Sequence, residues 1–314
     1  MPRTRTWHSL AKSIFRPQET LTTAQMLERA GLAGWNVRKE PLIYPAGVIS
    51  DSKDYYVLRD TPDGVHALSV VGDKYRPFQN EELLSFGDNL LDGGATWESA
   101  GYFRNGRTIF GALTIDREIV LDPQGANDKS ETFLMVTTSH DGSSSIRACV
   151  TPVRVICQNT LTLAWKNATQ QWSVRHTQGT AGRVQDARDT LNLTHKYMDN
   201  FEVMARDLFA SPITTAEFDK AYELIYPKPD ADAKSSLTRW NKQFDLTRGL
   251  YLSSPTNANI TGTKWGALNA LTERIDWFRN GDKPMTEGLS ASASGFETAV
   301  QQEKARILEV VRAI

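Results

Sequence analysis

Glu131–Trp165, ETFLMVTTSHDGSSSIRACVTPVRVICQNTLTLAW, is the stretch that decides the fold. It opens on Thr132–Thr138, an apolar, β-branched run of strand length. Asp141-Gly142 follows, a dipeptide that supplies the positive φ angles of a tight hairpin turn. A second run, Ser144–Val150, alternates: Ile146, Ala148 and Val150 face one way, Ser145, Arg147 and Cys149 the other. Thr151-Pro152 predicts a change of element, because proline suits the first turn of a helix and threonine its N-cap. Beyond it Val153, Ile156, Cys157, Thr160, Leu161 and Ala164 recur at helical spacing. The expectation is a core hairpin feeding a buried helix. Arg147, Arg154 and Lys166 project from this apolar stretch with no acid beside them in sequence. Such cations meet either a polyanion or a carboxylate brought from elsewhere in the fold.

Working back from the hairpin, the chain reads as β-rich from Asp54. Tyr55–Arg59 and Val65–Val71 flank Thr61-Pro62-Asp63-Gly64, with proline and glycine placed for a turn. Glu81 and Glu82 open a short helix closed by Gly93-Gly94, with its acids where the helix dipole favours them. Thr96–Phe103 and Arg107–Asp116 form a hairpin across Asn105-Gly106, and Asp122–Ser130 reads as a loop. The pattern thus predicts a meander of about six strands. Ahead of it, residues 1–53 hold a basic arm (Met1–Pro17), a helix over Thr23–Ala30 ended by Gly31, and an extended Trp35–Tyr44.

Forward of Trp165 the period changes to that of helices. Helical faces are predicted between Arg183 and Leu208, over Ala216–Ile225 behind a Thr214/Glu217 capping box, around Ser236–Leu246, and through Trp265, Leu268, Leu271, Ile275 and Phe278. Gly281–Gly295 is rich in small and polar residues and predicts a mobile linker before a terminal helix from Phe296. The fold class expected is α+β: an antiparallel β-meander with packed helices, then a mostly helical C-terminal half. The divisions expected are 1–53, a core at 54–170 and a helical region at 171–314, with the linker near 281–295.

Composition bounds the function. The 314 residues carry 40% hydrophobic and 23% charged side chains, those of an ordinary globular chain. A formal net charge of −1 means that a nucleic-acid site must come from local clustering. Two cysteines, Cys149 and Cys157, are too few for a metal site of their own and read as buried thiols. The basic N-terminus lacks an apolar signal core, and no span approaches the ~18 apolar residues of a membrane helix, so a cytoplasmic location is expected.

Catalytic patterns fail. There is no P-loop, and Gly262-Thr263-Lys264-Trp265 matches one only superficially. Ser139-His140-Asp141 has triad residue types, but consecutive residues at a strand end cannot converge as a triad. The five histidines have no zinc spacing. Asp88 and Asp92, one helical turn apart, and Asp141 are the acids on which a metal-dependent nucleic-acid enzyme would have to rest. No enzyme activity, no metal and no cofactor is expected.

Charge placement is more informative. From Gly142 to Arg188 the cations Arg147, Arg154, Lys166, Arg175, Arg183 and Arg188 face a single acid, Asp186. Trp165, Trp172 and His176 are interleaved with them. Cations that track phosphates beside aromatic faces that stack on bases make up a sequence-tolerant single-strand groove. Lys74, Arg76, Arg104 and Arg107 cluster at turns of the same meander.

The SHDG turn (Ser139–Gly142) and the TPVRVICQNTL run (Thr151–Leu161) resemble the signature of a phage- and plasmid-borne family catalogued as of unknown function. VVGDKYRPFQNEELLSF (Val70–Phe86), WSVRHTQG (Trp172–Gly179) and GTKWGALNALTERID (Gly262–Asp276) resemble further blocks of it, so the likeness runs from Val70 to Arg279. That family brings no established activity. In element order and charge placement the chain also resembles single-strand annealing proteins of the Rad fifty-two superfamily, whose core similarly puts a curved β-meander before a helix. The resemblance implies a homo-oligomeric ring with single-stranded DNA in a basic groove. The function expected is ATP-independent binding and annealing of single-stranded DNA in homologous recombination. The phosphate contacts expected are Lys74, Arg104, Arg107, Arg147, Arg154, Lys166, Arg175 and Arg183, with Trp172 or His176 as a stacking group. The alternative is a phage or plasmid accessory protein that binds a host protein and no DNA.

Overall fold

The computed structural model describes residues 13–43, 53–91, 94–156, 159–160, 171–174, 193–278 and 298–314. The first half runs β1 (Ser13–Phe15), α1 (Thr23–Arg29), β2 (Arg38–Pro41), β3 (Asp54–Thr61), β4 (Gly64–Gly72), α2 (Asn80–Leu84) and α3 (Asp88–Leu91). Next come β5 (Thr96–Phe103), β6 (Thr108–Leu121), β7 (Asp128–Ser139), β8 (Ile146–Arg154), β9 (Asn159–Thr160) and β10 (Gln171–Val174). The second half is helical: α4 (Leu193–Ala210), α5 (Thr215–Ile225), α6 (Lys234–Leu252), α7 (Lys264–Phe278) and α8 (Thr298–Ala313). The fold is therefore α+β, with antiparallel sheets followed by helices, as the change of period predicts.

The six strands β3 to β8 do not make one meander. They fall into two sheets, one ordered β2-β3-β4 and one ordered β1-β5-β6-β7-β8-β10, with β9 also paired to β8. The reason lies between β4 and β5, where α2 and α3 carry the chain from one sheet to the other instead of turning it back as a hairpin. The end of the basic arm is ordered: Ser13–Phe15 pairs antiparallel with Ala100–Tyr102 and covers that side of β5. Residues 1–12 lie outside the described residues, as does the linker expected near 281–295.

A second correction concerns Thr151-Pro152. β8 runs through both residues to Arg154, with Pro152 opposite Thr132 of β7. On the far side of β8, β10 covers Ile146–Cys149 and β9 covers Val153 and Arg154. No described strand lies opposite Pro152 there, which makes the missing N–H tolerable in a strand. The helix expected from Val153 does not form over residues 153–154 or 159–160, which are strand; residues 161–164 lie outside the described residues.

The alternation of β8 holds. Ile146, Ala148 and Val150 join the main core, which continues through the helices to Trp265, Leu268, Leu271 and Val311. On the opposite face Phe103, Phe110, Ala112, Phe133, Met135 and Val153 form a second cluster. Burial on both faces explains the unbroken apolar runs Ile109–Leu113 of β6 and Phe133–Val136 of β7. At the centre of the helical half, α7 is buried from Trp265 through Glu273 and packs against α4, α6 and α8. Gly266 lets the preceding loop lie close against α7, since a Cβ there would lie 2.4 Å from the Ile260 carbonyl oxygen. No helix among the described residues is long and apolar enough to cross a membrane.

Candidate nucleic-acid interface

Two turns stand side by side at one end of the large sheet. The β5–β6 turn holds Arg104, Asn105 and Gly106 at φ values of 52°, 58° and 88°. Positive φ is rare for arginine, so neighbours rather than local preference must hold this turn. Beneath it the Arg59 guanidinium lies 3.9 Å from the Trp35 ring centre and 5.5 Å from that of Tyr102. Gly106 is required here: a Cβ would come within 2.8 Å of Arg59 Nη1 and 2.9 Å of Trp35 Cη2.

The β7–β8 turn is built on the SHDG residues. Ser143 N donates to Asp141 Oδ1 at 2.9 Å, and Ser144 N to Ser139 Oγ at 2.9 Å. His140 N donates to the Arg107 carbonyl at 2.7 Å, which ties one turn to the other. Arg104 crosses between them, donating from Nη1 to Ser143 Oγ at 3.2 Å and pairing through Nη2 with Asp141 at 3.3 Å. Burial alone would raise the Asp141 carboxyl, but the hydrogen bonds from Ser143 and the charge of Arg104 outweigh it and hold it below the usual carboxylate range.

The small sheet brings a third loop to the same place. Tyr75, just after β4, donates from its hydroxyl to the Ser139 carbonyl at 3.0 Å, and Ser69 Oγ donates to the His140 carbonyl at 2.7 Å. Desolvation raises the Tyr75 phenol far above its ordinary value, so it stays a donor. Lys74 and Arg76 flank Tyr75, and both are exposed. Lys39 of β2 donates to the carbonyls of Asp73 and Tyr75 at 2.7 and 3.1 Å. Its pKa is lowered, chiefly by desolvation and then by the charge of Arg76.

Of the expected phosphate contacts, Lys74 is exposed on the Tyr75 loop beside Arg76, and Arg104 and Arg107 are exposed on the β5–β6 turn; both loops bond to the β7–β8 turn. Arg147 lies near the same end, opposite Thr137 of β7, but is only half-exposed, and its Nε donates to Ser145 Oγ at 3.3 Å. Arg154 is corrected outright. It lies at the other end of β8, fully buried, and pairs with the equally buried Asp128 at 2.7 Å. Its Nη1 donates to the Thr256 carbonyl at 2.5 Å and its Nη2 to Asn259 Oδ1 at 2.9 Å. Trp265 Nε1 completes the node with a 2.8 Å bond to Asp128 Oδ2. Lys166, Arg175, His176 and Arg183 lie outside the described residues, and Trp172 is placed by its backbone alone, on β10 opposite Ala148.

Of the acids on which a metal reading would rest, Asp88 accepts from the Thr23 hydroxyl and Asp141 pairs with Arg104, while Asp92 lies outside the described residues. Sequence reasoning missed Lys39 because it sits in β2, outside the expected core, and nothing in the local pattern Arg38–Pro41 joins it to Tyr75. It missed Asp128 because a single acid in a polar segment gives no sign of burial.

No significant match to the chain is found among curated proteins or among solved structures. The model of a family described as a domain of unknown function, DUF932, matches residues 67–308, and with that span covering β4 through most of α8 the chain belongs to this family.

Proposed function

We propose that the protein binds single-stranded DNA at the turn end of the large sheet and anneals complementary strands without ATP, as a phage-type recombination protein. One observation carries this reading: exposed Lys74 and Arg76 on one loop and exposed Arg104 and Arg107 on another lie on loops that both bond to the β7–β8 turn, in a chain whose formal net charge is −1. Clustered exposed cations release counterions when they neutralise phosphates, which gives sequence-independent affinity. Copies joined in a homo-oligomer would add such weak contacts along one strand.

The test is salt-titrated binding of labelled single strands by K74Q, R104Q and R107Q. Each change is expected to weaken binding evenly across sequences and to flatten the slope of log affinity against log salt by roughly 0.7. Annealing of two complementary strands is expected to proceed without nucleotide, and light scattering to report an oligomer in the presence of DNA. Unchanged affinity and slope in all three variants would remove the DNA reading. The second reading, an accessory protein that binds a host protein, draws on β4, where Val65 is 57% and Val70 is 52% exposed.

A further inference from the structure

Asp141 stands on the turn to which both basic loops bond, paired with Arg104, with 10% of its side chain exposed against 46% for Arg104. Its carboxylate does not lie at the rim, where solvent would screen it. Arg104 spends both ends of its fork on the β7–β8 turn, Nη2 on Asp141 and Nη1 on Ser143 Oγ. A carboxylate presents oxygens to a guanidinium in the same way as a phosphate does. Resting on the DNA-binding reading, we infer that Asp141 is a built-in competitor for Arg104, an internal stand-in for phosphate that a bound strand must displace. Binding then favours ligands with many contiguous phosphates, whose other contacts to Lys74, Arg76 and Arg107 offset the lost ion pair. An isolated phosphate has no such contacts and leaves the pair closed.

Asn is the informative replacement at position 141, because its side-chain oxygen still accepts from Ser143 N while the charge is gone. D141N is made alone and in the R104Q background, with D141S as a second variant that keeps a turn-forming oxygen. The readout is anisotropy of a labelled oligothymidine of about thirty nucleotides over a range of salt, with melting measured alongside. D141N is expected to tighten binding by about 2–5-fold, the value of an ion pair whose arginine is exposed, with little change in the salt slope, since Arg104 meets one phosphate in either protein. In the R104Q background the gain is expected to vanish. An equal gain in both backgrounds would mean a general charge effect and overturn the competitor role. R104Q weakening binding while D141N and D141S leave it unchanged or weaker would make Asp141 a turn anchor only, with the DNA reading intact. If the unmodified protein and every variant fail to bind, the DNA reading itself is lost.

Discussion

Arg104 and Arg154 are the same residue type, both carried by β-rich sequence with no neighbouring acid, and they have opposite fates. Arg104 is exposed at a turn, whereas Arg154 is buried against Asp128, 26 residues earlier in the chain, and against Asn259, 105 residues later. Separations of that size leave no trace in local pattern, so the sequence could pose the choice between phosphate and carboxylate but could not settle it. Removing one member of a buried pair leaves the other uncompensated, at a cost of ~3–5 kcal/mol. R154M is therefore expected to lower the melting temperature by on the order of 10 °C, at roughly 2–4 °C per kcal/mol. Adding D128L should recover part of that loss, since a well-packed apolar pair is often as stable as a buried ionic one. The paired experiment is thermal melting of the two variants. If R154M alone melts like the unmodified protein, the node contributes nothing to stability.

At the scale of elements, legibility followed how local each signal is. The turns at Thr61–Gly64, Asn105-Gly106 and Asp141-Gly142 were readable because each carries a glycine at positive φ, and each one does join the strands expected, although the positive φ of Arg104 is held by its neighbours. The Thr214/Glu217 box was readable for the same reason. Thr214 Oγ1 accepts from Glu217 N at 3.2 Å, and Glu217 Oε2 accepts from Thr214 N at 2.8 Å. Pro152 misled because its preference for a helix start is also local, while its place in β8 is set by β7 alongside. The split of the meander into two sheets was equally hidden, since which hairpin pairs with which depends on the whole core. T214A is expected to cost about 1 kcal/mol and T214S far less, because serine restores the capping oxygen. Urea titration of both variants checks this, and equal midpoints for T214A and the unmodified protein would mean that the box is ornamental to α5.

For the whole molecule, the buried node at the far end of β8 joins the large sheet to the segment that leads into α7. The main core runs without interruption from Leu21 and Val57 in the first half to Leu271 and Val311 in the last helices. Asp128, Arg154, Thr256, Asn259 and Trp265 cross the same boundary with hydrogen bonds centred on the fully buried Asp128–Arg154 pair. An interface that is both apolar and closed by a buried ion pair should not open separately from the sheet, because opening it exposes the pair as well as the core. Near-ultraviolet signal, which follows the packed tryptophans, and far-ultraviolet signal, which follows the helices, are therefore expected to melt together in one transition. A ligand on the turn end should then protect the whole molecule and not the sheet alone. At free single-stranded DNA of 100 times Kd, the stabilisation expected is about 2.7 kcal/mol. Both signals should shift upward by the same amount, and by less in R104Q at the same DNA concentration. Two transitions of which DNA moves only the first would mean that the helices fold as a separate unit, and that the Asp128–Arg154 node does not couple the two halves.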